Sequence, residues 1–270
     1  MRFDRPIGIL LLLWPTLIAL YLAASGQPDV TTLLIFCSGV VLMRSAGCVI
    51  NDYADQNFDQ HVTRTKNRPL ASQQIKSKHA LILFMILMLV AFGLALQLSF
   101  ATLLLAIVAA VLAIIYPFMK RITGYPQFIL GLAFAWSIPM AYMQIMGRLS
   151  AETWLVFASV MAWVVAYDTQ YAMADMADDL KIGIKSTAIS FAHYDKHIIF
   201  SLQSLCLVGF AYLGIIKNFD IKFYITLVLA FMLILYQQWL IKDRLPERCM
   251  AAFLSNNYFG MLIFLGVLFK

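Results

Sequence analysis

Residues 31–59 read TTLLIFCSGVVLMRSAGCVINDYADQNFD, and this stretch decides the class of the protein. Its first part, 31–50, is a run of apolar and small residues broken by one charge, Arg44. About 20 such residues are what a helix needs to cross the hydrocarbon of a bilayer. The run ends abruptly in Asn51, Asp52, Asp55 and Asp59. At about 100° per residue, Asn51, Asp55 and Asp59 step only about 40° at a time, so they form one polar stripe with Asp52 close beside it. Arg44, seven residues before Asn51, looks toward the same side from one or two turns deeper. The stretch therefore predicts a transmembrane helix that finishes in a carboxylate face.

Working outward, the same apolar length recurs at 7–25, 80–98, 100–117, 126–146, 151–167, 197–216, 222–240 and 250–269. The predicted fold class is all-α, a polytopic membrane protein of about nine transmembrane helices in a single domain, 1–270. The third and fourth spans are separated only by Gln97-Leu98-Ser99, which calls for a tight hairpin. Ile7 to Ala24 is long for a cleaved signal, contains Trp14-Pro15 and is followed by further spans, so it reads as the first helix. Composition agrees: of 270 residues 62% are hydrophobic and 13% charged, with a mean hydropathy of +0.82. A soluble domain has about 25% charged residues.

A net charge of +6 could point to nucleic acid, but in so apolar a chain it points to basic loops at an anionic membrane face. Nine spans place fifteen of the twenty Lys and Arg on the face that carries the N-terminus, and four on the other. That asymmetry predicts a cytoplasmic N-terminus. Cys37, Cys48, Cys206 and Cys249 show no CxxC or metal-ligand spacing and read as small core residues. The long connections 51–79 and 168–196 fall on the basic face, about 120 residues apart in an otherwise similar hydropathy profile, which suggests a duplicated half.

The second connection opens with another acidic series, Asp168, Asp175, Asp178 and Asp179, which on a helix stays within a wedge of about 100°. The two series hold seven of the fourteen acidic residues. Solvated loop charges have no reason to recur at i, i+3, i+4 and i+7 in two places. Ionisable groups at membrane depth are costly and mark function. Clustered carboxylates repel one another unless a cation neutralises them, and Mg²⁺ suits them, being held by one or two carboxylates plus phosphate oxygens. Arg64, Arg68, Lys120, Arg121, Lys181 and Lys185 would complete a site for a polyanion. A cation transporter is disfavoured because its binding residues would sit at the midplane on broken helices. A phosphatidyl-group transferase would need a DGxxAR-type element, which is absent.

On these residues the chain resembles the UbiA superfamily of intramembrane prenyltransferases, with NDxxDxxxD at Asn51–Asp59 and DxxYAxxDxxDD at Asp168–Asp179 and no departure at the acidic positions. The resemblance extends to Asp4-Arg5-Pro6-Ile7-Gly8, Trp14-Pro15, Arg44-Ser45-Ala46-Gly47-Cys48, Thr65-Lys66-Asn67-Arg68-Pro69-Leu70, Tyr116-Pro117, Lys120-Arg121, Lys181-x-Gly183-x-Lys185-Ser186-Thr187 and Asn256-Asn257. These further elements look most like the bacterial branch that prenylates 4-hydroxybenzoate for ubiquinone; other branches use naphthoate, homogentisate, haem or glycerol phosphate.

The resemblance implies a Mg²⁺-dependent transferase of the bacterial inner membrane, acting on polyprenyl diphosphate. It implies one Mg²⁺ at Asn51 and Asp55 and a second at Asp175 and Asp179. Asp52, Asp59, Asp168 and Asp178 would be further or water-mediated ligands. Tyr171 and the rim cations would bind substrate, with Arg44 or Arg121, and then Arg5, as anchor for the acceptor carboxylate. Aromatics such as Phe84, Phe92, Phe134 and Trp136 sit at helical spacings; some must shelter an allyl cation. His61, His79, His193 and His197 lack any paired spacing and read as solvated, and Pro117 and Pro139 as kinks in spans four and five.

Overall fold

The computed structural model describes residues 6–60, 65 and 67–270, with only the backbone of Asn57 and Phe58. Among these residues every regular element is helical: α1 Ile7–Ala23, α2 Val30–Asp59, α3 Ser77–Ala95, α4 Phe100–Ile122, α5 Pro126–Ala135, α6 Ser137–Met146, α7 Ala151–Ile182, α8 Thr187–Phe191, a 3₁₀ turn Ala192–Tyr194, α9 Asp195–Lys217, α10 Ile221–Ile241 and α11 Pro246–Leu268. Counting α5 and α6 as one broken span, the long helices match the nine apolar segments. Caps start several of them where the sequence provides a side-chain acceptor. Asp29 takes the N–H of Thr31 (3.1 Å) and Thr32 (2.7 Å) ahead of α2. Ser150 and Thr153 form a reciprocal capping box at α7.

Among the described residues seven spans are long and apolar enough to cross a bilayer by length and composition; α1 has 17 residues, and α7 is not among the seven. Burial explains why α7 can be more polar. It packs against α5, α6, α8, α9 and α11, and an unbroken run from Ala162 to Tyr167 is buried. A helix enclosed by protein need not be as apolar as one bathed in lipid. Trp163, Tyr142, Tyr167, Phe210, Phe223 and Phe259 fill this core. At Gly260 on α11 the rings of Trp14 and Trp163 come so near that an added Cβ would lie 2.6 Å and 2.7 Å from them. Small residues permit such close helix contact in membranes.

A chain of buried amides runs through the same half. Trp163 Nε1 donates to Asn256 Oδ1 (2.9 Å), Asn256 Nδ2 to Gln170 Oε1 (2.8 Å), Gln170 Nε2 to Gln237 Oε1 (3.0 Å) and Gln237 Nε2 to Ser255 Oγ (2.8 Å). Such bonds average only about 0.6 kcal/mol in a bilayer, so their consequence is orientation. Trp163 and Gln170, seven residues apart, bind one face of α7 to α11 and α10, which turns Asp168 and Asp175 away from those two helices and leaves Tyr171 at the flank.

Three expectations are refined. The connections are shorter than 51–79 and 168–196, because α2 stays helical to Asp59 and α7 to Ile182, where Gly183 (φ +73°) ends it in the left-handed region, so both acidic series stand on helices as their spacing predicted. Span five breaks at Trp136, between α5 and α6, because Pro139 has no N–H to give the carbonyl of Ala135, whereas α4 is assigned as one helix through Pro117. The turn between α3 and α4 is tight as predicted, but the helices then part: α3 packs along α2, and α4 against α2, α5 and α6.

Candidate functional site

The parting of α3 and α4 leaves a cavity of about 1350 Å³, larger than the roughly 300–1,000 Å³ of a drug-sized pocket. Its lower wall is apolar. Met88, Ala91 and Ala95 of α3 face Ala106, Ala110 and Ala113 of α4, each set on one helical face. At the other end the lining turns polar, with Asn51, Asp52 and Arg68, then Arg44 and Asp168.

The two helix ends that bear opposite charge dock there. Arg68 Nη1 bridges Asp59 Oδ2 (2.6 Å) and Asp52 Oδ1 (3.3 Å). Lys120, in the last turn of α4, pairs with Asp55 Oδ2, and Arg121 donates to the carbonyl of Ala54. Cations in the last turn of a helix also complement its dipole. Asp55 is 2% exposed, and its second oxygen, Oδ1, is buried without a hydrogen bond, 4.0 Å from Arg121 Nη2. A buried carboxylate oxygen with no donor is costly and calls for a cation. The donors here are all hard oxygens, carboxylates and the Asn51 amide, which suit a divalent cation of the Mg²⁺ or Mn²⁺ kind. Among the described residues no three acidic, His or Cys side chains converge on one point.

Arg44 stands apart from the other cations. Its guanidinium reaches α1, where it rests against Gly8, and lies 5.9 Å from the centroid of Phe134 on α5. Among the described residues it has no hydrogen bond or ion pair, although it is within electrostatic reach of Asp168, Tyr116 and Tyr167. Tyr116 is likewise within electrostatic reach of Asp168, Arg44, Tyr171 and Asp55. Tyr171 packs edge-on to Phe253 at 5.0 Å.

The remaining predicted residues separate by partner. Asp175 lies within reach of Asp168, and Asp175 and Asp179 are both half-buried on α7. Lys181, 73% exposed, pairs with Asp178 of its own helix at 3.2 Å. Lys185 points its ammonium at the carbonyl of Ile122 (3.4 Å), and its backbone N–H binds the carbonyl of Lys120 (3.1 Å), so it ties the loop after α7 to the end of α4. Arg5, Arg64 and His61 lie outside the described residues. His79, His193 and His197 are exposed as expected. Of the four aromatics, Phe134 and Phe92 line the cavity, Phe84 is buried between α2 and α3, and Trp136 donates to the carbonyl of Leu105 at 3.0 Å. Tyr116 and Gly8 had no assigned role in the sequence reading. Tyr116 lies one turn before Lys120 on the same face of α4, a spacing that could have found it.

Residues 12–265 match the UbiA prenyltransferase family. The chain is 52% identical over 267 residues to a 4-hydroxybenzoate octaprenyltransferase of Tolumonas auensis, covering 99% of this chain and 93% of that one. It is 54% identical over 266 residues to the enzyme of the same name from Aeromonas hydrophila, covering 98% and 93%. In fold it is similar to the apo structure of a UbiA homolog from Aeropyrum pernix K1, with TM-score 0.85, 21% identity, and 99% and 98% covered. It is also similar to a UbiA homolog from Archaeoglobus fulgidus bound to GPP and Mg²⁺, with TM-score 0.75, 14% identity, and 98% and 97% covered.

Proposed function

The chain belongs to the UbiA prenyltransferase family, and from that premise we propose that it transfers a polyprenyl group from polyprenyl diphosphate to the carbon ortho to the hydroxyl of 4-hydroxybenzoate. This is a membrane step of ubiquinone biosynthesis. The observation that carries the proposal is one cavity joining three chemistries: an apolar slot, an end ringed by carboxylates and cations, and the Arg44 guanidinium, which among the described residues rests over Phe134 with no hydrogen bond or ion pair. A polyprenyl diphosphate needs the first two, and a benzoate needs the third.

The diphosphate sits between the ends of α2, α4 and α7. Arg68 and Lys120 exchange part of their pairing with Asp52, Asp59 and Asp55 for phosphate oxygens. Asn51 with Asp55, and Asp175 with Asp179, are the positions for Mg²⁺, with Asp52, Asp59, Asp168 and Asp178 in support. Bound there, Mg²⁺ supplies Lewis-acid stabilisation of the charge on the departing diphosphate. As the C–O bond breaks, the diphosphate leaves with the electron pair and the allylic carbon becomes cationic; the ortho ring carbon then bonds to it, and the ring gives up its ortho proton to the departing diphosphate or to water. The aromatic side chains of Tyr116, Phe134 and Phe253, which line the cavity, are suited to shelter the cationic carbon. Arg44 is the better of the two acceptor anchors, because Arg121 is already committed to Ala54 and Asp55 and is exposed. A guanidinium grips a planar carboxylate with two parallel bonds. The isoprenoid tail runs down the alanine-lined slot toward the seam between α3 and α4.

We place the protein as a single domain in a bacterial cytoplasmic membrane with its N-terminus inside, on the strength of the basic asymmetry. The test is direct: membranes from cells expressing the chain receive labelled octaprenyl diphosphate, Mg²⁺ and 4-hydroxybenzoate. Labelled 3-octaprenyl-4-hydroxybenzoate is the expected product. Prenylation of a naphthoate or homogentisate in its place would overturn the acceptor assignment.

A further inference from the structure

We infer that Gly8 is a specificity-determining position, whose missing side chain makes the seat in which the Arg44 guanidinium is held toward the acceptor. Nothing in the local backbone demands glycine. Gly8 lies in the first turn of α1, where the N–H groups of Ile9 and Leu10 bind the carbonyl of Pro6 at 2.9 and 3.1 Å. Its φ is not positive. Apart from proline, glycine is the poorest helix former, so at this place the residue type works against the helix.

Space explains it. A methyl built on Gly8 would overlap Nε and Nη2 of Arg44 and lie 2.7 Å from its Cζ. Among the described residues, and leaving aside the backbone of α1 itself, those three guanidinium atoms are its nearest neighbours. Both residues line the cavity. Alanine can therefore be accommodated without moving any helix, by pushing back the head of one flexible side chain until contact is again ordinary, at 3.4 Å or more. The fold survives, and the fork is displaced. The inference rests on the reading of Arg44 as the acceptor's carboxylate anchor and adds what fixes that anchor. Gly8 itself is a positioning residue; it acts through Arg44.

The test compares wild type, Gly8→Ala, Arg44→Ala and the double variant as full-length chains in nanodiscs. Each is assayed with 4-hydroxybenzoate and with its uncharged isostere 4-hydroxybenzamide. A misplacement near 1 Å can cost about a hundredfold, so Gly8→Ala should raise the KM for 4-hydroxybenzoate by about tenfold or more. The KM for prenyl diphosphate should stay within about twofold, and the variant should melt no lower than wild type, because alanine favours the helix. With the amide the penalty should shrink. In the Arg44→Ala background, Gly8→Ala should add nothing, since the atoms it displaces are gone. An unchanged 4-hydroxybenzoate KM in Gly8→Ala, or an equal penalty with Arg44 removed, overturns the inference. Failure of the wild-type chain to use 4-hydroxybenzoate would instead overturn the acceptor reading, so the two failures are distinct.

Discussion

Asp55 carries the most constrained carboxylate of the first acidic series. One oxygen is held by Lys120, and the other is buried without a hydrogen bond. Asp175 occupies a comparable place on α7, within reach of Asp168. If both hold metal, Asp55→Asn and Asp175→Asn keep the shape but lose the anionic ligand, and each should drop turnover below a tenth of wild type. At tenfold per 1.36 kcal/mol, the loss of a ligand worth several kcal/mol demands at least that. Turnover should likewise vanish with EDTA and return with Mg²⁺. Single-turnover assays at saturating donor are the measurement, and either variant above a tenth of the wild-type rate sinks the two-metal assignment. The acidic positions were legible because helical periodicity survives in a linear sequence. The proximity of Gly8, Arg44 and Tyr116 was not, because it arises between α1, α2 and α4, far apart in the chain. Nor does the sign of a charge reveal its partner: Lys181 and Lys185 read like Lys120 in sequence, yet one pairs along its own helix and the other ties a loop.

At the scale of the helix, all nine apolar segments reappear as helices, although α2 and α7 run on through the acidic series and Pro117 leaves α4 unbroken. What the runs could not tell is how neighbours separate. Three residues between two spans imply a hairpin, yet α3 and α4 part because α3 prefers the flank of α2. The consequence is the slot faced by Ala106, Ala110 and Ala113. Alanine there is a choice of volume in a helix otherwise rich in Leu, Ile and Val. Ala110→Phe should therefore obstruct the slot while leaving the charged end untouched. The expected outcome is selective: kcat/KM falls by about tenfold or more for octaprenyl diphosphate, a cost of about 1.4 kcal/mol or greater, while a short donor such as geranyl diphosphate is nearly unaffected. Equal losses for both donors would remove the tail from this slot.

Across the whole molecule, packing and charge are both lopsided. The tight core and its amide chain lie among α1, α5 to α7 and α9 to α11, whereas α3 and α4 have only 17% and 11% of their apolar windows buried. The dense half holds α7 in a fixed rotation, and the loose half leaves room for a long lipid. The charges divide along the other axis. Lys76, Lys78, Lys120, Arg121, Lys181, Lys185, Lys196, Lys242, Arg244 and Arg248 all sit at one end of their helices, and Arg148, Lys217, Lys222 and Lys270 at the other. One of the basic end's ties rests on a fully buried carboxylate: Asp195 accepts from Nε and Nη2 of the partly exposed Arg244, at 2.9 and 2.6 Å, joining the start of α9 to the α10–α11 turn. The four opposite cations are too few to compete for orientation, because the rule counts Lys and Arg in short loops and gives acids little weight. Single cysteines at Gln60, Lys185 and Lys222, all exposed, read this out. In intact cells a membrane-impermeant maleimide should modify Lys222→Cys and spare Gln60→Cys and Lys185→Cys until the membrane is opened. The first two sites then belong to one face, as both acidic helix ends must if they are to grip a single diphosphate. Labelling that puts Gln60→Cys and Lys185→Cys on opposite sides would undo the topology and the shared site together.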